Sequence, residues 1–126
     1  MRLNQVTVHV TDVYRSFEFY KGLGLIPIVG GLDHYARFLC PDGDSTFSIE
    51  RINEGKPHST TAVYFECDNL DEKVRELKNQ GYSFQEDPTD KSWLWREAYL
   101  KDPDENLICL FYAGENRTNP PWRIKE

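Results

Sequence analysis

The sequence contains a degenerate internal repeat of about half its length, and that repeat limits the folds open to it. Val10-Thr11-Asp12-Val13 superimposes on Cys67-Asp68-Asn69-Leu70, and each copy then runs through an apolar strand, a polar turn and an amphipathic helix in the same order. Both helical stretches run out in glycine, Gly24 and Gly81, at matching places. Pro41-Asp42-Gly43 answers Pro103-Asp104-Glu105 as the turn before the last strand of each copy. With 126 residues the chain can form one ordinary core, burying roughly two thirds of its unfolded surface, so the two copies must build one unit. Repetition then implies pseudo-twofold geometry, in which residues at matching positions converge on a shared space.

Each copy reads as a βαβββ module. Gln5 to Val10 alternates, with Val6, Val8 and Val10 on one side and Gln5, Thr7 and His9 on the other. Asp12 is an N-cap candidate, and Phe17, Phe19, Tyr20 and Leu23 supply the helical stripe that covers the valines. Strands are expected at Leu25 to Val29, Tyr35 to Leu39 and Thr46 to Ile52. In the second copy, Ala62 to Cys67 alternates, Asp68 or Asn69 caps a helix carrying Leu70, Val74 and Leu77, and strands are expected at Ser83 to Glu86, Trp95 to Leu100 and Leu107 to Tyr112. The expected organisation is a single domain: module one over about residues 1–53, a polar linker at 54–59, module two over about 60–113, and a tail at 114–126. Pro120-Pro121-Trp122-Arg123 in that tail can be neither regular helix nor central strand, so it either docks through Trp122 or hangs free. The fold class is α+β, two βαβββ modules forming a curled mixed sheet around a cup, with the helices on its outer face.

Charge and cysteine content remove several functions. Fifteen basic residues against twenty-one acidic ones give a net charge of −6, and no Lys/Arg cluster interrupts that balance, which argues against nucleic acid as a partner. Cys40, Cys67 and Cys109 form an odd set without C-x-x-C spacing, which argues against a disulfide framework or a zinc knuckle and points to a reducing cytoplasm. The N-terminal stretch enters an alternating strand at once, and the longest apolar run, Leu107 to Ala113, is far short of a membrane span.

The polar sides of the end strands of each module define the expected cup lining: Gln5, Thr7, His9, Thr46, Ser48, Glu50, Ala62, Tyr64, Glu66, Leu107, Cys109 and Phe111. On a single antiparallel sheet such a side is ordinarily a wet face, and only the repeat makes a concave site of it. His34 and His58 fall in loops, where a solvated histidine is the ordinary outcome.

Leu3-Asn4-Gln5-Val6-Thr7-Val8, followed by Asp12, Ser16, Phe19-Tyr20 and Leu23-Gly24-Leu25, and the later Asp102-Pro103-Asp104-Glu105-Asn106-Leu107-Ile108, resemble the vicinal oxygen chelate superfamily. That superfamily includes glyoxalase I, bleomycin and fosfomycin resistance proteins and extradiol dioxygenases. The resemblance covers residues 1 to about 113 and implies the fold more strongly than the reaction, because this superfold carries many chemistries. It implies metal ligands on the first and last strands of each module, which fall here on Gln5, Glu50, Ala62 and Cys109. Ala62 has no donor atom, and Cys109 stands where the enzymes carry an oxygen ligand, so half of the chelate set is missing or altered. A thiol ligand must also lose its proton to bind, whereas the ordinary role of such a cysteine is as a small apolar strand residue.

Trp93-Leu94-Trp95-Arg96-Glu97-Ala98-Tyr99 is the other informative stretch, with Trp93, Trp95, Glu97 and Tyr99 on one side and Leu94, Arg96 and Ala98 on the other. Rings of this kind either pack the core or stack on flat and cationic ligands, as the resemblance to metal-free bleomycin resistance proteins implies. The expected function is therefore small-molecule binding by a cytoplasmic homodimer with no working metal site and no cofactor. Gln5, Thr7, Ser48, Tyr64, Trp93, Trp95, Arg96 and Cys109 are the expected ligand-binding residues, and Glu50 is the one candidate for a catalytic role. The alternative is a metal-dependent lyase, isomerase or dioxygenase, its divalent ion held by Gln5, Glu50 and Cys109 or His9.

Overall fold

The computed structural model describes residues 1–125. Strand β1 (Gln5–Val10) alternates as the sequence requires: Val10 is buried while Gln5, Thr7 and His9 are exposed. Asp12 ends the strand and caps helix α1 (Val13–Leu23), its side chain accepting the backbone N–H of Arg15. The helix stops at Gly24, whose φ of 113° is open to glycine and costly for other residues. Strands β2 (Ile26–Val29), β3 (Tyr35–Leu39) and β4 (Thr46–Arg51) follow, and the sheet order is β1-β4-β3-β2, with β1 and β4 parallel and the remaining pairs antiparallel. Tyr20 and Leu23 of α1 share a buried core with Val10, Ala36, Phe38, Phe47 and Ile49.

The second module repeats the plan. Strand β5 (Ala62–Glu66), helix α2 (Leu70–Asn79), β6 (Phe84–Asp90), β7 (Arg96–Lys101) and β8 (Leu107–Tyr112) give the order β5-β8-β7-β6, again with the module's first and last strands parallel. Leu70, Val74 and Leu77 are buried, as are Ala98, Leu100, Ile108 and Leu110 of the sheet. Asn69 occupies the cap position of α2 but makes no side-chain cap bond; Asp71 and Glu72 in the first turn still suit the positive end of the helix. Strand β6 runs farther than its alternation suggested, because as an edge strand it tolerates Pro88 through an irregularity between Glu86 and Thr89. The tail starts as a 3-10 turn, Gly114–Arg117, and Trp122 is exposed.

The chain divides into two compact units, one of residues 1–60 with 102–106, the other of residues 61–101 with the described residues from 107 onward. The short piece assigned to the first unit is the Asp-Pro-Asp-Glu-Asn turn. Asp102 is its hub: Oδ1 accepts the backbone N–H groups of Asp104 (2.9 Å) and Asn106 (2.8 Å), and Oδ2 accepts the Tyr20 hydroxyl at 2.7 Å and the Asn106 amide at 2.8 Å. Asp104 in turn accepts from the backbone and hydroxyl of Thr11. Burial, together with the neighbouring Asp102 carboxylate, pushes the Tyr20 phenol far above its usual range, so it stays a donor. Among the described residues no helix is long and apolar enough to cross a membrane.

Candidate functional site

The side of the second sheet opposite α2 carries a cluster that its alternation pattern had half revealed. Tyr64 on β5 lies beside Cys109 on β8, which pairs with Tyr99 on β7, and Phe111 pairs with Glu97. Trp95 stacks on Phe111 with ring centres 4.6 Å apart and planes 15° from parallel, while Tyr64 meets both edge-on at 6.0 Å and 5.6 Å. Stacked and edge-to-face arrangements are the favourable ones for aromatic quadrupoles. The sequence reading placed Trp93 and Trp95 on a strand. They instead lie in the turn between β6 and β7, closed by the Lys91 N–H donating to the Trp95 carbonyl at 2.7 Å, because the chain must reverse there. Leu94 in that turn has φ of 68°, a conformation a leucine adopts at a cost.

Glu97 organises this side, and it was not among the expected site residues. It is 2 % exposed, accepts the Trp93 indole N–H on Oε2 at 2.7 Å and accepts the Tyr99 hydroxyl on Oε1 at 2.7 Å. Lys91, ion-paired with Glu86, lies close enough to feel the Glu97 charge. The signal in the sequence was Glu97 at the centre of an otherwise aromatic alternating face, since an acid there needs donors if it is to be buried. Burial first, and then the hydrogen bond to Glu97, push the Tyr99 phenol well above its usual range. Glu66, on the same strand as Tyr64, accepts the N–H groups of Ala113 and Gly114 at 2.8 Å each, and so fixes the start of the tail.

Arg96 lies on the other side of this strand. Its guanidinium makes a two-pronged pair with Asp71 of α2 at 2.9 and 3.2 Å and a further bond to Asp90 at 3.0 Å. Strand alternation turns it to the helix side of the sheet, away from the Trp95, Glu97 and Tyr99 side chains.

Two of the expected metal ligands, Gln5 and Glu50, are not register partners. Gln5 pairs with Thr46 and His9 with Glu50, so Glu50 stands four positions farther along β4 than the partner of Gln5. At about 3.3 Å per residue that separation is about 13 Å of backbone, where a metal needs donors about 2 Å from one point. Each side chain also has a nearer partner: Thr46 donates to Gln5 Oε1 at 2.8 Å, and Glu50 faces His9 at 3.6 Å. Cys109 sits in the second unit at the place that Ser48, not Glu50, holds in the first, since Thr7 pairs with Ser48 as Tyr64 pairs with Cys109. The residue matching Glu50 is Phe111. Thr7 is exposed and Ser48 is buried, bonded to the Tyr35 hydroxyl at 2.7 Å, which also receives Arg37 Nε at 2.9 Å. Among the described residues no group of three or more His, Cys, Asp or Glu side chains is arranged to hold a metal ion.

Cys109 is fully buried, and burial pushes its thiol up to about 12. The folded thiol therefore keeps its proton after the unfolded one has lost it. The stability this contributes is intact below about pH 9 and falls as pH rises toward 12, by about 1.4 kcal/mol per pH unit between those limits. Urea unfolding in reductant from pH 7 to 10.5 is expected to show Cys109→Ala losing stability less steeply above pH 9 than the parent chain; parallel curves would show that the thiol does not titrate this way.

A family model described as the Glyoxalase/Bleomycin resistance protein/Dioxygenase superfamily matches residues 2–110. The chain is 26 % identical over 125 residues to the uncharacterized protein YraH of Bacillus subtilis strain 168, an alignment covering 88 % of this chain and 98 % of that protein. Among solved structures it is similar to a member of the same superfamily from Sphaerobacter thermophilus (TM-score 0.75, 21 % identity, 89 % of this chain and 97 % of that one). It is also similar to a glyoxalase/bleomycin resistance protein/dioxygenase from Nocardioides (TM-score 0.77, 19 % identity, 99 % and 90 % covered). The lactoylglutathione lyase of Agrobacterium tumefaciens has the same fold at 14 % identity (TM-score 0.72, 88 % and 92 % covered). With a family match across most of its length and both βαβββ modules in place, the chain belongs to the glyoxalase/bleomycin resistance protein/dioxygenase superfamily.

Proposed function

We propose that this protein binds a small molecule in the manner of the non-catalytic members of its superfamily, with recognition carried by the aromatic side of the second sheet and not by a chelated metal. The observation that supports this best is the meeting of Tyr64, Trp95 and Phe111 beside the buried Glu97. Tyr64 is 45 % exposed and Trp93 46 % exposed, so a flat ligand has ring surface to bury. Two features support the metal-free reading: Gln5 and Glu50 are held apart by strand register, and the matched position on β8 is a buried cysteine.

Tryptophan fluorescence tests the first half of this proposal and equilibrium dialysis the second. A flat ligand is expected to quench emission, and Trp95→Ala is expected to weaken its binding by about 1 to 3 kcal/mol, the loss of an aromatic contact with its buried area. Dialysis against Ni, Zn, Fe or Mn salts is expected to leave far less than one ion per chain. Near-stoichiometric metal would overturn the proposal in favour of a metal-dependent lyase, isomerase or dioxygenase. We propose also that the chain pairs with a second copy, because each sheet ends in two edge strands, β1 and β2 in one and β5 and β6 in the other. Sedimentation at micromolar concentration is expected to give twice the chain mass, and the single mass would refute the pairing.

A further inference from the structure

We propose, building on that binding role, that hydrogen-bond direction makes the Tyr64 site an acceptor, so that it selects planar cations bearing an N–H group over planar anions. Glu97 as a carboxylate can only accept, and it takes the single proton of Tyr99 at 2.7 Å and the single N–H of the Trp93 indole at 2.7 Å. Tyr99 has then no proton left to give. Its oxygen meets the Tyr64 hydroxyl at 3.2 Å, so Tyr64 must be the donor in that contact. The chain of direction runs from the exposed Tyr64 through Tyr99 to the buried Glu97, and what Tyr64 offers a ligand is lone pairs.

The basic groups near the rings have acidic partners of their own, Lys91 with Glu86 and Arg117 with Glu66, and Lys91 also feels the Glu97 carboxylate. The Trp95 indole N–H is directed to the carbonyl of Asn116 at 3.4 Å. A planar cation can place its ring against the exposed Tyr64, gain from the negative ring face, and donate its N–H to the Tyr64 oxygen. A planar carboxylate finds an acceptor facing an acceptor.

Three acridines of one ring size test this by calorimetry at pH 7: the 9-aminoacridinium cation, with N–H donors; 10-methylacridinium, a cation with none; and acridine-9-carboxylate, an anion. The amino compound is expected to bind wild type at least tenfold more tightly than the methyl compound, and the carboxylate most weakly. Tyr64→Phe is expected to erase the amino-over-methyl advantage, read as the ratio of the two affinities in the same variant. Glu97→Gln provides the second arm. Its amide oxygen can keep the Trp93 N–H while its NH2 donates to Tyr99, which turns both hydroxyls round and makes Tyr64 a donor. The amino-over-methyl advantage is then expected to vanish, although both probes carry the same charge, and the carboxylate is expected to gain relative to both. Equal binding of amine and carboxylate by wild type, or an amino advantage that survives Tyr64→Phe, would overturn the inference and leave ligand binding intact. Failure of all three probes to bind wild type would overturn the inference and the proposed aromatic site together.

Discussion

Asp102→Ala is expected to cost about 3 to 5 kcal/mol of folding stability, because it leaves several donors without their acceptor at about 1 to 3 kcal/mol for each one that is buried. Asp102 is 4 % exposed, and four hydrogen bonds converge on its two oxygens, from Tyr20, the backbone of Asp104 and Asn106, and the Asn106 amide. Alanine leaves three buried donors and the part-buried N–H of Asp104 without that acceptor, and an unsatisfied buried donor carries its full desolvation cost. It also releases the turn that holds Glu105 at φ of 68°. Tyr20→Phe removes one donor and no acceptor, so its cost is expected to be smaller, about 1 to 2 kcal/mol. Because both residues belong to one network, the double variant is expected to lose less than the sum of the singles. Urea unfolding of the three variants checks the whole set. A loss under about 1 kcal/mol for Asp102→Ala would show that water or backbone replaces the carboxylate and that the turn is held by its own geometry.

Glu97→Ala is the second large effect, expected near 3 kcal/mol, because it removes a carboxylate that is 2 % exposed and leaves the Trp93 N–H and the part-buried Tyr99 hydroxyl without their shared acceptor. Glu97→Gln keeps an acceptor for Trp93 and gives Tyr99 a donor to accept, so about 1 kcal/mol is expected. The contrast between the two substitutions, read from urea midpoints and from the near-ultraviolet dichroism of the tryptophans, separates a hydrogen-bonding role from simple space filling. Equal losses in both would mean that Glu97 holds these rings by charge alone.

Much of the fold was legible because local periodicity records which side of an element meets the core. The alternation of Gln5 to Val10, the Asp12 cap, the stripe of Leu70, Val74 and Leu77 and the left-handed glycines at 24 and 81 each express a local preference that the packed structure keeps. The candidate site was legible only in part. Strand alternation put Trp95, Glu97 and Tyr99 on one side, but it could not say which side faced α2, nor that α2 supplies Asp71 as a partner for Arg96.

The sequence by itself determined the repeated βαβββ order, the cap and end of the first helix and the superfamily, because those depend on residue type and short spacing. Tertiary structure alone decided the register of β1 against β4 and of β5 against β8, and with it that Glu50 faces His9 instead of Gln5 and that Cys109 stands opposite Tyr64. Alternation has a period of two, so sliding a strand by two residues leaves its apolar face unchanged; only loop length and packing choose among those registers. The same holds for Glu97: its donors, Trp93 and Tyr99, are near in sequence, but the turn that aims Trp93 and the pairing that sets Tyr99 beside Tyr64 exist only once the sheet has closed around them.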